Sequence, residues 1–119
     1  RPAQGSRQVR LVRAQNARQE QALALYEKAV LTSMEEVENS LVAYSQEQER
    51  RILLAASVES NRRAADLAAS RYTAGLDDFL SVLDALRSLY ASQDQLAQSE
   101  KTVEVNVIGL YKALGGGWE

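Results

Sequence analysis

The chain has 119 residues, of which 45% are hydrophobic and only 6% aromatic, and its formal net charge is −2. Because it contains neither cysteine nor histidine, thiol nucleophiles, disulfides, Cys/His metal sites and histidine-based catalytic triads are excluded, and the net negative charge gives no bulk attraction to nucleic acid. The length allows at most one domain, and the predominance of Ala, Leu, Val, Gln, Glu and Arg is typical of long helices and coiled coils.

The first residues are expected to precede any regular structure. Residues 1–6 are predicted to be an irregular boundary, with Ser6 placed to cap the helix that follows. No signal peptide is recognisable, and because Arg1-Pro2-Ala3 looks like a cut boundary we expect a fragment of a longer chain. The next stretch, 7–20, is basic and holds Arg7, Arg10, Arg13, Arg18 and one acid, Glu20. A basic helix end is a candidate to contact phospholipid head groups or nucleic acid, but without interleaved aromatic residues an ordinary solvated helix face is favoured.

A first long helix is predicted over 7–73, because no Pro or Gly interrupts this stretch. Its clearest apolar seam has spacings of mostly three and four residues and consists of Leu23, Tyr26, Val30, Met34, Val37, Leu41 and Tyr44. Further apolar residues beside the seam favour a bundle or barrel over a two-stranded coil. Residues 45–51 contain no apolar side chain, which indicates either a solvated stretch within one helix or a bend between two; the absence of a helix breaker favours continuity.

Residues 74–77 are predicted to form the turn at which the chain reverses. Gly75 is the first glycine after Gly5, and glycine adopts the left-handed backbone of a helix C-cap without a Cβ penalty. Leu76 is placed to fold back on the last turn of the first helix. Asp77 or Asp78 can cap the second helix, since a carboxylate accepts hydrogen bonds from free backbone N–H groups.

A second helix is predicted over 78–114, followed by a glycine-rich tail at 115–119. Its seam has a strict four-three alternation: Val82, Leu86, Leu89, Gln93, Leu96, Glu100, Val103, Val107, Leu110 and Leu114. Glu100 is expected at the rim of the seam or facing water rather than fully buried. Trp118 is equally consistent with a side chain that anchors the tail to a surface and with a tail that contacts nothing.

Together these elements predict an all-α protein, a long antiparallel helical hairpin with coiled-coil-like packing. Because the two helices are unequal, about half of the first, residues 11–44, has no partner in this chain, and its apolar surface needs burial. We expect either missing segments of the parent protein or further copies of the chain to cover it.

Three stretches occur in a specific order and spacing: EEVENSL at 35–41, RYTAGL at 71–76 followed by VLDA at 82–85, and LYKALGGGW at 110–118. They resemble the C-terminal helical part of the TolC-like outer membrane efflux factors, and the resemblance runs from about Gly5 to the end of the chain. It implies a homotrimeric parent with a β-barrel in the outer membrane and a long α-helical barrel in the periplasm. This chain would supply the long helix and the lower return helix of the second internal repeat.

The resemblance also implies a docking surface at the hairpin tip. In the family, the tip meets the helical hairpin of a periplasmic adaptor (membrane fusion) protein. The tip motif is commonly Val-Gly-Leu, and the corresponding residues here are Ala74, Gly75 and Leu76, with Ala in place of Val.

A pore constriction is implied just beyond the tip. An acidic residue lines the closed pore in the family, and Asp84 matches its position. Some members carry a second acid three residues earlier, where this chain has Ser81. Leu80 stands where some members have an apolar constriction, and Tyr72 matches a tyrosine that helps to latch the closed state.

The function that follows from this resemblance is that of a periplasmic tunnel segment in an outer membrane efflux channel for small toxic solutes. An inner-membrane pump would supply the energy and be contacted indirectly, and the membrane would be reached only through barrel strands outside this chain. We expect no catalytic residues, metal ligands, cofactor or nucleic-acid partner, because neither an acid–base–nucleophile set nor a nucleotide-binding loop can be assembled. The alternative is a helical-hairpin scaffold or adaptor module that mediates only protein–protein contacts.

Overall fold

The computed structural model describes residues 2–116, and this part of the chain is almost wholly helical. Helix α1 spans Pro2–Thr73 and helix α2 spans Phe79–Tyr111, which passes directly into a π-helical turn over Lys112–Gly116. The prediction of an all-α fold is therefore confirmed. Within the described residues, no helical stretch is both long and apolar enough to cross a membrane.

Helix α1 begins earlier than the sequence suggests. Helical backbone starts at Pro2, so the irregular boundary expected at 1–6 is wrong for the described residues, and Ser6 lies inside the helix instead of capping it. Proline is tolerated here because its missing N–H would have no helical partner in the first turn, and a single glycine such as Gly5 costs only about 1 kcal/mol relative to alanine. The helix runs without a break through 45–51, which confirms the predicted continuity.

Residue contacts divide the chain into two units, Arg1–Glu38 and Asn39–Glu119. In the first unit, the described residues belong to α1. Large apolar side chains of this unit are exposed: Val9, Leu11, Val12, Leu23, Leu25, Tyr26, Val30, Leu31 and Met34. The apolar seam of this part of α1 is thus uncovered among the described residues, as expected for a surface that other segments or other chains bury.

The second unit is an antiparallel hairpin formed by the C-terminal part of α1 and by α2. Three side chains donate hydrogen bonds from one helix to the other: Asn61 to the Ser88 carbonyl (3.4 Å), Ser99 to a Glu47 carboxylate oxygen (2.7 Å) and Asn106 to the Ala43 carbonyl (3.3 Å). The partners advance along one helix as they retreat along the other, so the helices run in opposite directions. A small apolar cluster lies between them and consists of Val58, Ala65, Ala85, Leu86, Leu89 and Leu96.

The interface between the helices contains a polar centre. Ser99 is completely buried, and its hydroxyl donates to Glu47 Oε1. Arg50 Nη1 approaches the same oxygen at 3.1 Å, and the Glu47 side chain is only 14% exposed. The buried carboxylate therefore has two partners, which offsets the cost of removing it from water.

The polar centre lies within residues 45–51, for which a solvated stretch of helix was one of the two predictions. The stripe of α1 that faces α2 has spacings of three and four residues and includes Ser40, Tyr44, Glu47, Arg51, Leu54, Val58, Asn61, Ala65 and Ala68. The stretch is therefore not simply solvated, because Glu47, Gln48 and Arg51 are half-buried. Gln48 accepts a hydrogen bond from Arg51 Nε at 2.9 Å.

The predicted seam of α2 holds in one of its two rows, because Val82, Leu89, Leu96, Val103 and Leu110 are all buried or half-buried. In the other row, Leu86 and Gln93 are half-buried as predicted, but beyond Leu96 the covered positions lie one residue earlier, at Ser99, Asn106 and Ala113. Glu100 faces water, as expected, but Val107 and Leu114 are exposed, so their assignment to the seam is wrong. Ser99 and Asn106 thus take the interface places of the heptad that fall on Glu100 and Val107 in the sequence pattern.

The C-terminal end departs from the predicted helix at 78–114. Regular α-helix ends at Tyr111, and Gly115 has a φ of 110° within the π-helical turn that follows. The tail was expected to leave the helix at residue 115. Helical hydrogen bonding instead extends to Gly116, although Gly115 itself has non-helical backbone angles.

The last three residues, Gly117, Trp118 and Glu119, lie outside the described residues. The alternatives for Trp118, an anchor to a surface or a tail without contacts, concern this segment.

Candidate functional site at the hairpin tip

The turn between the helices is closed by three backbone hydrogen bonds. The Leu76 N–H donates to the Arg71 carbonyl (2.8 Å), the Gly75 N–H to the Tyr72 carbonyl (3.0 Å) and the Ala74 N–H to the Ser70 carbonyl (3.0 Å). The first two bonds together make a Schellman motif, which satisfies carbonyl groups left free at the end of α1.

Gly75 is required at this turn by its backbone conformation. Its φ is +75°, in the left-handed region predicted from the sequence, where a Cβ atom causes strain. A Cβ built on Gly75 would meet nothing within 4 Å. The restriction to glycine therefore comes from the backbone and not from lack of space.

Leu76 keeps most of its side chain exposed at the apex of the turn. In a Schellman motif the residue after the glycine often packs on the last helical turn, but the Leu76 side chain here is 69% exposed. Ala74 and Gly75 are exposed as well. The apex thus combines a fixed backbone with an uncovered, small and apolar surface.

The start of α2 is capped by Asp78, the second of the two candidate acids. Asp78 has extended backbone angles, and its carboxylate accepts a hydrogen bond from the Ser81 N–H at 3.0 Å. Asp77 instead accepts from the Asp78 N–H at 3.0 Å and from the Ser81 hydroxyl at 2.9 Å. That hydroxyl also lies 3.0 Å from Asp78 Oδ1, so its single proton is shared between the two carboxylates.

Asp77 also connects the two sides of the turn. Its Oδ2 lies 3.5 Å from Nε of Arg71, in the last turn of α1. The Ser81 hydroxyl, the Asp78 N–H and the charge of Arg71 hold the pKa of Asp77 below its usual value of 3.8. Asp77 therefore stays ionised at neutral pH, although its exposed position makes the contribution to stability small.

An aromatic pair packs beside the turn. The ring centroids of Tyr72 and Phe79 are 5.3 Å apart, and the ring planes are inclined by 57°, a favourable arrangement for two aromatic rings. Sequence reasoning singled out Tyr72 but missed Phe79. The signal that points to the pair is one aromatic residue on each side of a short turn.

The candidate pore-lining residues fall into two groups. Leu80 and Asp84 lie one turn apart on α2 and are exposed. At 100° per residue they occupy the side of α2 opposite to Val82 and Leu89, which are buried. Tyr72 and Ser81, by contrast, belong to the turn itself, because their side chains contact Phe79 and the two acids.

The tip has no metal-binding constellation. Among residues 2–116, no group of three or more Asp or Glu side chains is close enough to hold a metal ion. Asp77 and Asp78 are already engaged by the hydrogen bonds that close the turn and cap α2.

Comparison with known proteins gives a consistent result. The family described as "Outer membrane efflux protein" matches residues 3–116. The chain is similar to the pyoverdine export outer membrane protein OpmQ of Pseudomonas aeruginosa, with 42% identity over 87% of this chain and 22% of that protein. It is also similar to the toluene efflux pump outer membrane protein TtgF of Pseudomonas putida, with 37% identity over 82% of this chain and 20% of that protein.

A solved structure of the outer-membrane channel OprN has a similar fold. It shares 41% sequence identity with this chain at a TM-score of 0.72, and the match covers 96% of this chain and 25% of the OprN chain. The chain thus spans about a fifth to a quarter of the length of these three proteins.

Proposed function

Because the chain belongs to the outer membrane efflux protein family, we propose that it forms a periplasmic helical hairpin of an outer membrane efflux channel and docks a periplasmic adaptor protein through its tip. The observation that carries the docking proposal is the apex, where a Schellman-closed turn keeps Ala74, Gly75 and Leu76 exposed. A rigid apex loses little conformational entropy when it binds.

The surface of the apex suits a partner that presents its own helical turn. Leu76 supplies an exposed apolar side chain, and the short Ala74 side chain allows a second backbone to approach closely. Phe79 adds apolar surface beside the apex, since it is 52% exposed. Apolar side chains that are fixed in position and uncovered mark interaction surfaces more often than they mark an ordinary loop.

The parent protein is proposed to be a passive conduit for small toxic solutes, energised by an inner-membrane pump that it reaches through the adaptor. The names of the relatives OpmQ and TtgF refer to pyoverdine export and toluene efflux. Since these relatives carry different solutes, a segment similar to both fits a shared conduit better than a selective binding site. The uncovered apolar seam from Leu23 to Met34 supports a homotrimeric helical barrel in which neighbouring helices bury it.

Asp84 and Leu80 are proposed to line the constriction of the channel. On the side of α2 turned away from α1, both are free to face a central pore. Three-fold symmetry would place three Asp84 carboxylates around one axis, and a ring of negative charge favours cations. Tyr72 is proposed to help to latch the closed state, and Ser81 takes the place of a second acid without adding charge.

The docking proposal is tested by site-directed crosslinking in cells. A single cysteine replaces Ala74 in the full-length parent, and its crosslinked partner is identified by mass spectrometry. The matched control is Leu53→Cys, because Leu53 lies on the same hairpin and is 71% exposed but is far from the turn in sequence. We expect Ala74→Cys to capture a periplasmic adaptor and Leu53→Cys not to capture it.

A second variant separates docking from folding. Ala74→Arg places a bulky charge at the apex and should abolish efflux while the channel still assembles. Normal efflux by this variant, or capture of only neighbouring copies by Ala74→Cys, would leave Gly75 as a purely structural turn and would favour the alternative of a helical scaffold.

A further inference from the structure

The charges of the chain are strongly segregated. Residues 1–19 contain five arginines and no acid, a charge of +5, so the remaining residues carry −7 to give the total of −2. Such a segregation of charge points to an anionic partner for the basic part.

Four of these arginines lie on one side of α1. The residues are Arg7, Arg10, Arg13 and Arg18, and we call the stretch 7–18 the basic segment. At 100° per residue they fall within an arc of about 140°, and all four side chains are exposed. The ion pairs found among the described residues involve other arginines, namely Arg50, Arg63 and Arg71.

Apolar side chains flank the basic arc. Val9 and Leu11, which are 49% and 64% exposed, lie about 40° and 20° beyond its two edges, whereas Val12, which is 56% exposed, lies on the opposite side of the helix. An open groove between Arg10 and Arg13 is lined in addition by Val9 and by small residues of the preceding turn. A helix that combines exposed arginines with exposed aliphatic side chains, and that is not apolar enough to span a bilayer, has the properties of a helix that lies at a membrane interface.

We infer that the basic segment binds the anionic phosphate head groups of a phospholipid leaflet. Guanidinium groups bind phosphate oxygens through two parallel hydrogen bonds, and the aliphatic side chains beside them can contact the acyl boundary. The chain belongs to a family of outer membrane proteins, so a leaflet is available to it.

Two other anionic partners fit the basic segment less well. Nucleic acid is disfavoured because the rest of the chain is acidic and because no aromatic residue for base stacking precedes Tyr26. An acidic stretch of a second copy, such as Glu35, Glu36 and Glu38, would be bound by charge alone and would not need the flanking aliphatic side chains.

The inference is tested by co-sedimentation of the 119-residue chain with lipid vesicles. One vesicle preparation is pure phosphatidylcholine, and the other contains about one third phosphatidylglycerol, which supplies a negative surface potential. The test variant replaces the four arginines of the basic segment by Gln. A second variant replaces them by Lys, and a control variant replaces four exposed basic residues elsewhere by Gln, at Arg62, Arg63, Arg87 and Lys101.

We expect wild type to bind the anionic vesicles more tightly than the neutral ones and to lose this preference in high salt. Each arginine near an anionic surface contributes roughly a five-fold factor, so the test variant should bind the anionic vesicles at least about 100-fold more weakly. The Lys variant should stay within about ten-fold of wild type, and the control variant, with the same net charge as the test variant, should stay close to wild type. Circular dichroism should give equal helix contents, because Gln forms helix nearly as well as Arg.

Three outcomes would overturn the inference. Equal binding of wild type to both kinds of vesicle would mean adsorption through the apolar seam. Equal losses in the test and control variants would mean a response to net charge alone. Loss of self-association in the test variant, measured by sedimentation equilibrium without lipid, together with unchanged vesicle binding, would identify the partner as a second copy. None of these results bears on docking at the tip.

Discussion

Replacement of Gly75 by alanine should destabilise the hairpin, although there is ample space for the new methyl group. Left-handed backbone costs a residue with a Cβ atom about 1–2 kcal/mol, and Gly75 has a φ of +75°. Alanine also restricts the unfolded chain, which stabilises the folded protein by roughly 0.4–1 kcal/mol. No steric contribution is added, since a Cβ at this position meets nothing within 4 Å. The net expected loss is about 0.5–1 kcal/mol, measured by urea unfolding followed by circular dichroism.

Gly109 provides the matched control, because it is also a glycine with nothing within 4 Å of a built Cβ. It lies inside α2 and does not have a positive φ. Gly109→Ala should therefore stabilise the protein by about 0.5–1 kcal/mol through helix propensity. The two alanine substitutions thus have opposite expected signs, and Gly75→Val should be worse than Gly75→Ala. Shifts of the same sign at both positions would refute the left-handed turn.

Three further predictions concern single side chains. Ser99→Ala should lower the free energy of unfolding by about 1.5 kcal/mol, because the Ser99 hydroxyl donates to a charged carboxylate on the other helix. Ser92→Ala, which removes a hydroxyl bonded to its own helix, should lower it by only about 0.5 kcal/mol. Equal losses in urea unfolding would contradict this difference. The pKa of Asp77 lies below 3.8, so its charged form stabilises the fold above that pH, and this stabilisation is lost as acid protonates the carboxylate. Asp77→Asn should therefore lower the free energy of unfolding at neutral pH and leave it unchanged in strong acid. A loss of stability that does not depend on pH would count against the contacts at the tip. In the full-length parent, Asp84→Asn should weaken the cation preference of single-channel currents while Asp66→Asn, at an exposed acid of α1, should not; unchanged currents in the Asp84 variant would remove it from the pore.

The turn was predictable from the sequence because it depends on the chemistry of a few neighbouring residues. A lone glycine after a long uninterrupted pattern, followed by two acids, specifies a left-handed C-cap and then an N-cap. The choice between Asp77 and Asp78 was not predictable, since it depends on which carboxylate reaches the Ser81 N–H. The exposure of Leu76 was missed for the same reason, as it depends on the path that the chain takes after the glycine.

The interface between the helices was predictable only in part, because a repeat within one helix does not specify its partner's register. One row of the α2 heptad holds throughout, whereas the other shifts by one residue beyond Leu96, which brings Ser99 and not Glu100 into the interface. Glu47 gave no signal of burial, since it lies in a stretch without apolar residues. Its burial follows from Ser99, which lies beside it only when the two helices are paired, whereas Arg50 is its neighbour on the same helix.

The distribution of buried surface connects these observations to the proposed function. The accessible surface is 9672 Å², whereas a folded monomer of 13.1 kDa is expected to expose about 6,400 Å². The excess of roughly 3,000 Å² equals several interfaces of about 800 Å² per partner. The apolar residues buried by the hairpin itself are few, namely Val58, Ala65, Val82 and Leu89.

In the proposed helical barrel, a chain with this surface would gain much of its stability from neighbours that cover α1. The hairpin determines two features without help from neighbours, and a binding partner needs both of them to be formed beforehand. These are the helix register, set by the Glu47–Ser99 hydrogen bond, and the backbone of the apex, set by Gly75. Local hydrogen bonds at the tip and a polar centre between the helices therefore suit a segment whose apolar packing is completed only on assembly.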